Sequence, residues 1–169
     1  HAEPTDEQAA QLPVTAAALQ VTYTKLASQL EASKLQLLDA HGVCPCCGSL
    51  PVTSVVRLGA AINNLRYLHC SLCNTEWNLV RANCASCGET DKVSYRVLES
   101  ADGSTHELVR AEVCGDCHSY LKLVLRDKDA SADPVADDLA TLALDILVDE
   151  AGYLRSGPNP LFIPGNADE

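Results

Sequence analysis

Four C-x-x-C pairs constrain this chain more than any other feature. Cys44/Cys47, Cys70/Cys73, Cys84/Cys87 and Cys114/Cys117 account for eight of its nine cysteines, and Cys46 alone stands outside the pattern. The spacing sets two sulfurs on one turn of backbone, so one metal ion takes both, and two such turns complete a tetrahedral four-cysteine site. A disulfide framework is the rival reading. An odd cysteine, and only nine cysteines in 169 residues, argue against it. Composition points the same way, because seven aromatics are a thin supply of large core side chains. No run of 18 apolar residues occurs, so nothing reads as a membrane-spanning helix.

The pairs repeat. Cys44, Cys47, Gly48, Ser54 and Leu58 recur 40 residues later as Cys84, Cys87, Gly88, Ser94 and Leu98, and Cys70/Cys73 recur 44 residues later as Cys114/Cys117. Two copies make a duplicated module rather than an array. Pairing within each copy puts Cys44, Cys47, Cys70 and Cys73 in one metal site and Cys84, Cys87, Cys114 and Cys117 in another. Short β-rich runs lie between the cysteine turns, at Val52–Leu58, Leu65–His69, Glu76–Val80, Val93–Leu98, Leu108–Val113 and Tyr120–Leu125. Gly48 and Gly88 suit the tight turn that follows a metal knuckle.

Two helices flank the modules. Leu12, Ala16, Leu19, Tyr23, Leu26, Leu30 and Leu37 fit one apolar helical stripe, with Pro13 in the first turn and Gly42 as the stop. Asp133 is a candidate N-cap for a second helix with the apolar face Leu139, Leu142, Ala143, Ile146 and Leu147, stopped at Gly152. The Pro- and Gly-rich tail Ser156–Gly165 reads as extended. The expected class is α+β: two tandem rubredoxin-like or zinc-ribbon four-cysteine modules of short antiparallel strands between an N-terminal and a C-terminal helix. The expected divisions are 1–42 (lead-in and helix), 43–83 and 84–128 (the two modules), and 129–169 (acidic helix and tail). His1 at the start and no methionine anywhere suggest a piece of a longer product.

A site closed by four thiolates has no open position at which to activate water, so hydrolytic metal catalysis is not expected. Such a site is structural or, with iron, carries one electron; zinc and iron both accept four sulfurs. His41, His69, His106 and His118 read as packing residues or hydrogen-bond donors beside ligands, since each site is already full. Cys46 reads as a small, half-buried thiol, with an alternative ligand or a redox-sensitive thiol as the sharper possibility. No P-loop or Gly-rich dinucleotide fingerprint is present. Residues 41–126 carry eight acids and eight bases, and residues 127–150 carry eight acids and only Lys128. That map offers no basic footprint for nucleic acid. Asp137, Asp138, Asp145, Asp149 and Glu150 are either a solvated helix face or a docking patch for a basic partner.

The segments CPCCGSLPVTSVVRLG, LRYLHCSLCNTEWNLVRANCASC, RAEVCGDCHSYLKLVLRDKD and ADPVADDLATLALDILVDEAGYLRSGPNPLFIPG occur in that order. Together they resemble the C-terminal part of the formate dehydrogenase accessory family, FdhE, from about Leu19 to Gly165. The resemblance implies a cytoplasmic, non-enzymatic assembly factor for respiratory formate dehydrogenases. It implies two rubredoxin-like sites holding iron or zinc at the eight paired cysteines, and the catalytic subunit of formate dehydrogenase as partner. No nucleic acid or membrane partner is implied, and self-association is left open. The family carries a larger helical domain upstream, of which the first helix here would be the last. Cys46 stands where an apolar residue is usual, and Asn78 where a histidine is common. The alternative function is a rubredoxin-like electron carrier or redox sensor.

Overall fold

Val, Leu and Tyr dominate the runs between the cysteine turns, and these half-buried, β-branched and aromatic segments pair as strands. The computed structural model describes residues 5–35, 38–57, 65–99, 103 and 105–162. Its first module supplies β1 (Pro51–Val56), β2 (Arg66–Cys70) and β3 (Glu76–Asn78), and its second supplies β4 (Val93–Glu99), β5 (Thr105–Cys114) and β6 (Ser119–Leu125). Each strand lies within a few residues of its expected place. Leu58 and Leu37 fall outside the described residues, as does the side chain of His106.

Each module is an antiparallel meander, and the two share a sheet in the order β3-β2-β1-β6-β5-β4. The join is parallel: Ser54, Val55 and Val56 of β1 pair with Leu123, Val124 and Leu125 of β6. The short strand β7 (Leu154–Arg155) adds to β6 beside the second cysteine cluster, again in parallel.

On one face of the sheet, Val55, Val109, Ala111, Val113, Tyr120 and Val124 pack with Leu144 and Val148 of the C-terminal helix. A polar row crosses the sheet at its join. Glu112 on β5 accepts a hydrogen bond from Ser54 on β1 at 2.5 Å and pairs with Arg66 on β2 at 2.7 Å. Arg66 also donates to the carbonyl of Asn83, immediately before Cys84, so a first-module side chain holds the second module's cysteine loop.

The first helix differs from its expected form. α1 spans Asp6–Ala27 and begins with a capping box, in which Thr5 accepts from the backbone N–H of Gln8 and the Gln8 side chain accepts from that of Thr5. Pro13 therefore sits inside the helix rather than in its first turn. The helix also ends well before Gly42. That glycine instead lies against the backbone of Ala85, where a Cβ would come within 2.0 Å of the carbonyl oxygen. The buried face is displaced as well, and of the expected stripe within the helix only Ala16 lies on it. The half-buried positions are Ala9, Pro13, Ala16, Gln20, Thr24 and Ala27, whereas Leu12, Leu19, Tyr23, Leu26 and Leu30 are exposed. Ala27 on this face packs against the first cysteine cluster, and two polar side chains on it meet polar groups. Gln20 donates to the carbonyl of Ser71 at 2.7 Å, and Asn74 donates to Thr24 Oγ1 at 2.9 Å.

The C-terminal helix is broken. α2 (Ala136–Ala140) and α3 (Leu142–Glu150) are separated at Thr141. Asp133 does accept the backbone N–H groups of Val135 and Ala136, and Gly152 ends the segment at φ +87°. The break has a cause across the sheet: buried Lys122 donates to the carbonyls of Asp138 and Thr141 and to the Thr141 hydroxyl. Leu144 and Val148 are the buried apolar positions, and Ile146 and Leu147 of the expected face are exposed. Asp138 and Asp145 are not a surface patch. Asp138 is fully buried, and both carboxylates pair with Lys122 and Arg155.

Candidate metal centres

Every cysteine turn is built alike. The first sulfur of each pair accepts backbone N–H bonds from the residues two and three positions on: Cys46 and Cys47 to Cys44, Leu72 and Cys73 to Cys70, Ser86 and Cys87 to Cys84, and Asp116 and Cys117 to Cys114. Gly48 and Gly88 follow the first turn of each module at φ +77° and +79°. Asn74 and His118 take the same left-handed position, at +55° and +54°, after the second turns. The amides thus point at the sulfurs.

Sequence repetition brings the sulfurs together in two groups. Cys44, Cys47, Cys70 and Cys73 form one and Cys84, Cys87, Cys114 and Cys117 the other, with all sulfurs of a group within 4.8 Å of each other. A tetrahedron of thiolates at ~2.3 Å from a central ion has S···S edges of about 3.8 Å. In the second cluster Cys84–Cys117 is 3.7 Å and Cys87–Cys114 is 3.8 Å. In the first, Cys44–Cys73 is 3.5 Å and Cys47–Cys70 is 3.4 Å. Donor chemistry and spacing both fit a four-sulfur ion, and iron and zinc fit equally.

Proton affinities within each cluster diverge. The Cys44 thiol is lowered to about 5, chiefly by the hydrogen bond from Cys70 and, against the cost of burial, by the amides of Cys47 and Cys46. Its neighbour Cys70 is driven up by that same bond and by burial. In the second cluster burial pushes Cys84 up, but the amides of Cys87 and Ser86 and the thiol and hydroxyl of Cys87 and Ser119 bring it to about 7. Burial raises Cys114. Metal ligation needs all four sulfurs as thiolates, so filling either cluster releases protons.

His69 is not among the gathered ligands. Its ring bonds Glu76 and Asn74, each at 3.1 Å. His118 stacks near Tyr153, at 5.9 Å between ring centroids, and His41 offers its carbonyl to the Trp77 indole. Cys46 is half-buried against the first cluster.

Sequence reasoning missed a hydroxyl partner in each cluster. Thr75 Oγ1 lies 3.1 Å from Cys73 Sγ, and Ser119 Oγ lies 3.0 Å from Cys117 Sγ. The signal was present, since each copy carries a hydroxyl two residues past its last cysteine.

A cleft of about 390 Å³ opens between the two cysteine loops, with His41, Gly42 and Pro51 on one side and Ser86, Cys87 and Ser156 on the other.

Two family models match the two modules in succession: the FdhE central domain over residues 43–81 and the FdhE C-terminal domain over residues 82–162. The chain belongs to the FdhE family. It is 49% identical over 150 residues to an FdhE homologue of Edwardsiella ictaluri, covering 88% of this chain and 47% of that protein. An FdhE homologue of Haemophilus ducreyi is 44% identical, with 86% and 46% covered. The crystal structure of FdhE from Pseudomonas aeruginosa superposes with a TM-score of 0.82 at 41% identity, over 94% of this chain and 54% of that one. The chain thus spans about half the length of the relatives it matches. Among the described residues, no helix is long and apolar enough to cross a membrane.

Proposed function

We propose that this FdhE-family chain is the metal-binding part of a maturation factor for respiratory formate dehydrogenase, acting in the cytoplasm by binding the enzyme's catalytic subunit rather than by catalysis. The observation that carries the reading is the coincidence of both family models with two gathered four-sulfur clusters. Cys44, Cys47, Cys70 and Cys73 hold one ion, and Cys84, Cys87, Cys114 and Cys117 hold the other. A filled tetrahedron has no position for substrate, which supports a binding role. The ions supply rigidity: a structural site in a zinc-finger peptide is worth about 10–16 kcal/mol.

The test is co-purification of the tagged full-length protein with the formate dehydrogenase catalytic subunit, with metal content measured on the same sample. Two equivalents of metal and a stable complex support the reading, and a metal-loaded protein that never captures the subunit overturns it.

The solvent-facing edge of the second cluster favours one alternative, a rubredoxin-like electron carrier or redox sensor. It requires iron at that site. Anaerobically purified protein would then show visible absorbance that bleaches reversibly on reduction, whereas two equivalents of zinc and no such band remove the alternative.

A further inference from the structure

The two clusters are alike in sequence but not in surroundings. In the first, Cys44 and Cys70 are fully buried, Cys73 nearly so, and Cys47 half-buried. Ala27 of α1, Leu72 and Trp77 pack against those sulfurs, and the bond from Gln20 to Ser71 fixes the helix over the turn. In the second, Cys84 and Cys114 are buried, but Cys87 and Cys117 are exposed. Each exposed residue is the second cysteine of its turn, and Cys87 also faces the cleft between the loops.

The polar surroundings differ too. Among the described residues, Thr75 is the hydroxyl hydrogen-bonded to a sulfur of the first cluster. The second has a chain of three: Ser119 lies beside Cys117 and donates to Ser86 at 3.0 Å, and Ser86 donates to Ser156 at 2.9 Å. Hydroxyl protons rotate, so the chain can equally point its donors back at a Cys117 thiolate. Ser156 follows β7, so the C-terminal segment supports the sulfur environment of the second cluster alone.

We propose that the second centre is the protein's modification and metal-exchange site, with Cys87 and Cys117 as the sulfurs that soft electrophiles and competing ligands reach, while the first centre is closed. The inference rests on the reading that both clusters hold metal. A thiolate is attacked where it is accessible, and solvent exposure is what separates labile from inert sulfur. With a maleimide, a lone pair on the Cys117 or Cys87 sulfur forms a C–S bond to one alkene carbon of the ring, the C=C π bond breaks, and the neighbouring carbon takes a proton from water. The resulting thioether is a poor ligand, so the divalent ion loses one donor and passes, without change of oxidation state, to a chelator. Ser119, hydrogen-bonded to the sulfur, restrains that attack as a positioning residue.

The test uses full-length, zinc-loaded protein in a Cys46→Ser background, because Cys46 is a thiol outside both four-sulfur groups. Metal content is measured first. N-ethylmaleimide is then added, zinc release is followed with a chromogenic chelator, and the alkylated cysteines are mapped against time by mass spectrometry. One zinc is expected to leave at least tenfold faster than the other, with Cys87 and Cys117 labelled before any cysteine of the first cluster. Ser119→Ala is expected to speed the fast release several-fold and leave the slow release unchanged. Equal release rates, or first-cluster cysteines labelled first, overturn the inference while leaving the metal reading intact. Fewer than two zinc ions at the outset overturn the metal reading and the inference with it.

Discussion

Arg66→Leu probes how the two modules are joined, and its cost can be worked from the structure. Arg66 and Glu112 pair at 2.7 Å with side chains 2% and 3% exposed. Burial raises the Glu112 carboxyl above its ordinary value, and Arg66 and the Ser54 hydroxyl only partly offset this. Without Arg66, the buried carboxylate loses its ion-pair partner and keeps only the charge of Arg81, which forms no salt bridge with it, and the folded protein is expected to protonate it. Holding a carboxyl neutral at pH 7 when the unfolded chain ionises near 4.3 costs at most about 3.7 kcal/mol, within the ~3–5 kcal/mol found on removing one partner of a buried pair. The sign follows from linkage. A folded pKa above the unfolded one means that stability is full below the unfolded pKa and is lost as pH rises toward the folded one. Glu112 is raised in the parent as well, so the variant's deficit should shrink by at most about 1.4 kcal/mol per pH unit as pH falls, over the interval between the two chains' folded pKa values. Urea unfolding of metal-loaded parent and variant between pH 5.5 and 7.5, followed by Trp77 fluorescence, measures it. Arg66→Leu/Glu112→Leu should recover roughly 2 kcal/mol of the single variant's loss, because no charge is stranded. A deficit that grows as pH falls, or a double variant worse than Arg66→Leu alone, would refute the reasoning.

Three further outcomes are expected. For Glu76, burial pushes the carboxyl up, but the His69 hydrogen bond and the Arg57 charge outweigh it and hold the group below its usual range. Glu76→Gln should therefore cost about 1.5–3 kcal/mol at pH 7, and the difference in melting temperature from the parent should close as pH falls through that depressed value, with acid-driven metal loss common to both chains. Lys122→Met strands Asp138 and Asp145 with Arg155 as their remaining cation, and urea unfolding should show a loss of about 3–5 kcal/mol. Gly157→Ala sets a Cβ 1.8 Å from the Pro51 carbonyl oxygen, so β7 and the tail should be displaced. Limited proteolysis should then cut near residue 157 in the variant before the parent, with a stability loss of about 1–3 kcal/mol by urea unfolding.

What the sequence made legible follows from where each cause lies along the chain. The cysteine groups were readable because a knuckle is local: four residues, their amides and a following left-handed turn contain its geometry. Strand positions were readable for the same reason, as short β-branched runs between turns. The parallel join of β1 to β6 was not, because Ser54 and Leu123 carry no local mark of each other. The break at Thr141 was hidden in the same way, since its cause is Lys122, 19 residues upstream on a different element. α1 shows a third kind of failure. Periodicity reports which face is apolar, and burial was inferred from that, yet the inner face is chosen by the groups it meets, here Ser71 and Asn74. The acidic helix turns on the same point. Asp138 and Asp145 look like solvated charge until Lys122 and Arg155 are placed beside them, and then they are internal counterions. Distribution along the chain located the acids, and only the fold could show which of them remain available to a partner. Duplication sharpens the argument: near-identical knuckles become one shielded and one exposed cluster because the helix packs against the first of them.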